Sequence, residues 1–107
     1  MEIIAGLIEL KPNSMAKVEE WAKTINDRKD EATETLKDEG VMLESYFHLE
    51  LAGKDYLLTY MRAESIAKAQ DVVKSSQHAI DVYHQSFKNE TWLKGTRAKL
   101  LVDLVND

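Results

Sequence analysis

Glu44, Tyr46 and His48 stand two residues apart in a run with strand character, so a carboxylate, a phenol and an imidazole line up on one face. Tyr60 and Arg62 repeat that spacing in the next strand-like run and can join them from a neighbouring strand. Such groups around a partly dry cavity are the ingredients of general acid–base catalysis, because burial and charge coupling bring their pKa values toward neutrality. The same five residues also make a plain binding pocket. On a blander reading Glu44 and Arg62 form an ion pair, the tyrosines pack and His48 caps a sheet edge in solvent. Glu44, Tyr46, His48, Tyr60 and Arg62 are therefore the candidate ligand-binding set, with His48, Glu44 and His84 the candidates for catalysis.

His84 belongs to a second group, His78, Asp81 and His84, within a helical run. Asp81 and His84 are three apart and therefore neighbours, which predicts an ion pair that raises the imidazole pKa. His78 and His84 are six apart, on different sides of a helix, and do not match the two-histidine spacing of a zinc helix. With three His and no Cys in the chain, no metal site is expected. No Gly-rich phosphate loop, nucleophile elbow or Ser/His/Asp order is present, and no cofactor is expected. His84 borders an apolar stripe of Ile80, Tyr83 and Phe87, so a hydrogen-bonded packing role competes with chemistry. Trp21 and Trp92 read as core anchors.

These residues have to be positioned by elements, and the pattern is strand, helix, strand, strand, helix pair, strand. Glu2 to Leu10 is apolar on both alternating faces, as in a central strand, and Pro12 ends it. From Ser14 to Glu39 the residues Met15, Val18, Ala22, Ile25, Ala32 and Leu36 mark one helical stripe, which Asn13 or Ser14 can cap and Gly40 can close. Arg28 and Lys29 interrupt that stripe. One of them can reach Glu44 or Glu90, although flanking Asp27, Asp30 and Glu31 favour a solvated face of ion pairs.

Val41 to Leu51 and Asp55 to Arg62 read as a hairpin around Ala52-Gly53-Lys54. Ala63 to Lys74 and about His78 to Phe87 read as helices, Asn89 to Gly95 as loop, and Thr96 to Val105 as the last strand. The fold class is thus α+β, a ferredoxin-like βαββαβ plan with a four-stranded antiparallel sheet and a split second helix region, in one domain over residues 1–107. Right-handed crossovers are expected to place the first and third strands at the centre as parallel neighbours.

Both helical layers of this plan lie on one side of the sheet. With a three-residue hairpin loop, Val41, Leu43, Phe47 and Leu49 turn toward the helices and Met42, Glu44, Tyr46 and His48 face the open side, with Tyr56, Leu58, Tyr60 and Arg62 beside them. In either register the open side carries too much Leu, Ile, Val and Tyr for water, which predicts a homodimer through that face, closed as an α/β barrel. The chain has 14 Lys plus Arg against 19 Asp plus Glu, a formal charge of −5, which disfavours nucleic acid and anionic lipid as partners. Glu2 and Glu9 interrupt the apolar start, so no signal or membrane segment is expected, and a cysteine-free chain suits the cytoplasm.

The segments NDRKDEATETLKDEGVMLES, YLLTYMRAES and HAIDVYHQSFKNETW resemble a bacterial family of about this length, a domain of unknown function related in shape to the dimeric α/β-barrel superfamily. The resemblance covers about nine-tenths of the chain, all but the last strand, and implies a ferredoxin-like dimer without a substrate. Other members of the superfamily are haem-degrading and quinol-type monooxygenases and lactone isomerases, which use the cavity between sheet and helices; the likeness is one of fold alone. The haem-degrading type relies on an Asn in the first strand with a Trp and a His. Glu2 to Leu10 has no Asn, and Trp21 and Trp92 lie outside that context, which argues against haem chemistry. The leading expectation is a cytoplasmic homodimer that binds a small molecule. A cofactor-independent monooxygenase- or isomerase-like enzyme using His48 or His84, and an assembly module without catalysis, are the alternatives.

Overall fold

The structure, a computed structural model, describes residues 1–106, so Asp107 at the end of the expected domain lies outside the described residues. Its elements are β1 (Glu2–Leu10), α1 (Met15–Asp27), α2 (Lys29–Glu39), β2 (Val41–Leu51), β3 (Lys54–Ala63), α3 (Ile66–Ser75), α4 (Ala79–Thr91) and β4 (Trp92–Arg97). The four-stranded sheet has the order β2-β3-β1-β4. This is the expected α+β ferredoxin-like arrangement, with β1 and β3 central. They are antiparallel neighbours, however, not parallel ones. Each crossover skips one strand position, so β1 runs parallel to β2 and β3 parallel to β4 without being adjacent to it, while each central strand pairs antiparallel with the other edge strand.

The expected single helix from Ser14 to Glu39 breaks at Arg28 (φ −116°, ψ 36°), which ends α1 and starts α2. Six consecutive polar residues, Asn26 to Glu31, give this turn nothing to bury, and the Arg28 N–H is shared between the carbonyls of Thr24 and Ile25. Arg28 pairs with Glu31 at 2.5 Å, and Lys23 with Asp27, instead of reaching inward. Ser14 stands at the N-cap of α1 without a side-chain cap bond, whereas Gly40 (φ 71°) closes α2 in the left-handed conformation.

Two further boundaries differ from the expectation. α4 continues through Asn89 to Thr91, whose hydroxyl donates to the Phe87 carbonyl at 2.7 Å, and β4 begins at the next residue with no loop. β4 ends at Arg97, so the expected strand to Val105 is not formed. Ala98 N–H still donates to Ala5 O, and the remaining tail is irregular, tied to the sheet by Asp103 on Arg62.

Register decides which residues meet the helices. Leu51 pairs with Lys54 across a two-residue turn, Ala52-Gly53, in which both residues have positive φ (50° and 76°). That is the mirror-image turn matched to strand twist. An even-numbered loop puts Phe47 opposite Leu58 and Tyr46 opposite Thr59. Because Leu57 is buried against the helices, its alternating neighbour Leu58 and the partner Phe47 face away. The predicted face of β2 is therefore reversed from Leu43 onward. Leu43, Phe47 and Leu49 lie on the open side, and Glu44, Tyr46 and His48 on the helix side. A bulge between Val41 and Leu43 lets Val41 alone keep its buried position.

Ala52 adopts a left-handed conformation that costs an L-residue with a Cβ roughly 1–2 kcal/mol. Ala52→Asn, the residue that such turns favour before Gly, should raise stability by about 1 kcal/mol, a Tm gain of about 4–8 °C. A thermal melt with no gain would show that this turn is not strained.

Candidate functional site

Two separate clusters form the core between sheet and helices. Ile8, Leu10 and Leu57 of the sheet pack with Val18, Trp21 and Phe87, while Val41 and Ala63 pack with Ala69. Between them lies a cavity of about 860 Å³, walled by the four strands β1 to β4 below and by α1, α2, α3 and α4 above. The radius of gyration, 14.2 Å, exceeds the about 13 Å expected for a chain this long, as fits an incompletely filled interior and a loose tail.

A hydrogen-bonded aromatic relay borders this cavity. Trp21 Nε1 donates to His84 Nδ1 at 3.0 Å, and His84 Nε2 lies 3.3 Å from the Tyr46 hydroxyl. Indole N–H can only donate, so Nδ1 accepts, and the neutral imidazole must carry its proton on Nε2, where it donates to Tyr46. The Tyr46 hydroxyl proton is then free to turn to Glu44, which stands two residues away on the same face and shifts its titration. Burial drives His84 down to about 4, with a smaller push from Lys88, so the ring is neutral at pH 7. The predicted ion pair with Asp81, and the raised pKa it implied, are absent. Asp81 instead accepts from the Ser76 hydroxyl at 2.6 Å, and His78 contacts Asp38 at 2.9 Å. Trp21 also stacks on Phe87 (4.5 Å between centroids) and meets Tyr46 edge-on (5.1 Å), which fixes the ring positions.

Charge enters the cavity from three elements. Glu44 of β2 has its pKa raised chiefly by burial, partly offset by Tyr46 and Lys88. Lys88 of α4 is pulled down by burial, with Glu44 acting the other way, and its ammonium sits 4.5 Å from the centroid of the Trp92 ring. Glu39, at the end of α2, is only 5% exposed, and burial followed by repulsion from Asp81, Glu44 and Asp38 raises it to about 7. Among the described residues its carboxylate has no hydrogen-bond or ion-pair partner. No set of three His, Asp or Glu residues among them is arranged to hold a metal ion.

The five residues proposed from spacing do not form one constellation. Glu44 and Tyr46 line the cavity. His48 is on the same face but exposed near the hairpin end, 2.9 Å from Asp55. The side chains of Tyr60 and Arg62 occupy the other face, where Arg62 donates to the Tyr60 hydroxyl and pairs with Asp103 at 2.5 Å. His84 does reach the cavity. Trp21, Glu39, Lys88 and Trp92 went unrecognised as lining residues, and a signal for two of them existed. Glu39 continues the stripe Ala32, Leu36 at steps of four and three, and Lys88 follows His84 by four, so both charges fall on inward-facing positions.

Compared with known proteins, residues 1–107 match a family described as a family of unknown function, DUF6176. No curated protein matches the chain.

Two measurements follow. Nitrogen-resolved NMR of His84 should show the Nε2–H tautomer, with protonation only near pH 4; a titration near 6.5 would contradict the buried relay. Glu39 holds its proton more tightly folded than unfolded, so its contribution to stability is full below pH 4.5 and is lost as pH rises through about 7. Glu39→Gln should therefore match the parent near pH 4 and exceed it above pH 7 by about 1 kcal/mol, allowing for screening through the cavity mouth. Equal denaturation midpoints for parent and variant at pH 8 would show that the carboxylate is not strained.

Proposed function

The chain belongs to DUF6176, a family of unknown function; membership carries no activity with it, and we propose from the site that the protein binds a small organic molecule between its sheet and helices. The observation that carries this reading is the cavity itself. About 860 Å³ is within the range of small-molecule pockets, and its walls combine apolar and aromatic surface with a few converging polar groups, Tyr46, Glu44 and Glu39. A domain of this size gains stability by filling such a space, so leaving it open while burying charges around it is costly unless a ligand uses it.

Binding is favoured over proton transfer by His84, because both ring nitrogens are already engaged, by Trp21 and by Tyr46. His48, the other candidate, stands outside the cavity lining with Asp55. Should the site perform chemistry, the Tyr46–Glu44 pair is the better placed, a buried phenol beside a carboxylate whose proton affinity is raised.

The open face supports a homodimer as the working form. Phe47 is 55% exposed, and Leu43, Leu49 and Leu58 are 37–40% exposed on the same surface. The tail residues Leu100, Leu101, Val102 and Leu104 project at 56–89% exposure instead of covering that surface fully. A second copy placed face to face buries both apolar regions in an isologous contact.

Sedimentation at micromolar concentration should give a particle of two chains, and Phe47→Asp should weaken association roughly 100-fold, by about 2.7 kcal/mol. A parent protein that sediments as one chain would remove the dimer and leave the pocket. For the pocket, a small-molecule library read by thermal shift should contain stabilisers whose effect is lost in Tyr46→Phe or Trp21→Phe. A library in which nothing shifts the melting of the parent would leave the assembly reading as the stronger one.

A further inference from the structure

The cavity carries an unbalanced charge that points to the class of ligand, an inference that rests on the binding reading above. Glu39, Glu44 and Asp81 approach it from α2, β2 and α4, and each of the two glutamates has its proton affinity raised by the other acidic groups as well as by burial. Lys88 serves one of the three, Glu44. Asp81 has only the neutral Ser76 hydroxyl, and Glu39, 95% buried by its 5% exposure, has no partner among the described residues. The remaining cations along the lining, Lys29, Lys74 and Arg97, are exposed residues at its rim. A carboxylate on a largely buried side chain that opens only onto the cavity and has no protein partner is poorly solvated, and a cation that arrives with the ligand relieves it.

The lining is also aromatic. Trp21 and Tyr46 present ring surface to the same space, and Trp92 already holds one ammonium, that of Lys88, over its face. Ring faces attract cations, and flat rings stack on aromatic bodies. The carboxylates are too dispersed to ligate a metal ion, since no three of the described acidic or His side chains form such a set. Their spread suits a larger organic cation.

We propose that the cavity recognises an organic amine with an aromatic or apolar body, its ammonium paired with Glu39 and its ring against Trp21 and Tyr46. The matched series tryptamine, tryptophol and indole-3-propionate tests this at pH 7.5, because the three share an indole and differ in carrying a cation, a hydroxyl or an anion. Binding to the full-length protein is read by isothermal calorimetry. Tryptamine should bind at least tenfold more tightly than either analogue, and Glu39→Gln should reduce its affinity at least fivefold while leaving that of tryptophol unchanged. Tryptophol or indole-3-propionate binding as tightly as tryptamine would overturn the charge preference and leave the cavity reading standing. So would an unchanged tryptamine affinity in a Glu39→Gln protein shown to be folded. No heat from any of the three at millimolar concentration, together with a library that gives no thermal shift, would overturn the cavity reading and this inference with it.

Discussion

Everything in the interior depends on the register of β2 against β3. Side chains alternate with a period of two, so a hairpin one residue longer would turn Tyr46 and Glu44 outward and bring Phe47 and Leu49 under the helices. The latter arrangement would fill the space with hydrocarbon. The two-residue turn at Ala52-Gly53 selects the other arrangement, and the bulge after Val41 confines the exchange to the part of β2 that borders the cavity. Turn geometry thus places a phenol and a carboxylate where burial alone would have placed leucine and phenylalanine.

With those polar groups inside, the core cannot close as one body. It separates into an aromatic cluster around Trp21 and Phe87 and a smaller aliphatic one around Val41 and Ala63, with the cavity between. The aromatic cluster satisfies three of its polar members, Trp21, His84 and Tyr46, internally. Indole, imidazole and phenol are joined by hydrogen bonds, which is the condition under which buried polar groups do not destabilise a fold. The Trp92 indole N–H is the exception within the packed cluster, buried without a partner, whereas the unpaired Glu39 carboxylate lies where the cavity surrounds it.

Strand order, the helical stripes and the apolar excess on the sheet were legible in the residues because each rests on local periodicity. Gly40 was legible as a helix terminus for the same reason. The face of β2 was not, since it turns on whether Lys54 belongs to the loop or to the strand, a difference of one residue that composition does not decide. Taking the loop as three residues grouped Glu44 and Tyr46 with Tyr60 and Arg62, which the sheet separates. The break at Arg28 had a visible sign in six polar residues, yet helix propensity there contains no Gly or Pro to mark a stop. The short β4 was hidden by the alternating tail, whose apolar side chains look like a strand but lack a neighbour to pair with. His84 was singled out by type, whereas its partners Trp21 and Tyr46 are 63 and 38 residues away and become neighbours only in the fold.

The absence of a loop between α4 and β4 has a mechanical meaning. Trp92 is at once the residue that caps the helix, the first of the edge strand and part of the cavity wall. A linker of a few residues would absorb small displacements of that ring by bending. Here there is no slack: a shift of the indole moves the helix terminus and the strand as one lever. The far end of that lever is Arg97, where the chain leaves the sheet and runs on to Asp103, so the interior and the outer face are joined by a rigid strut.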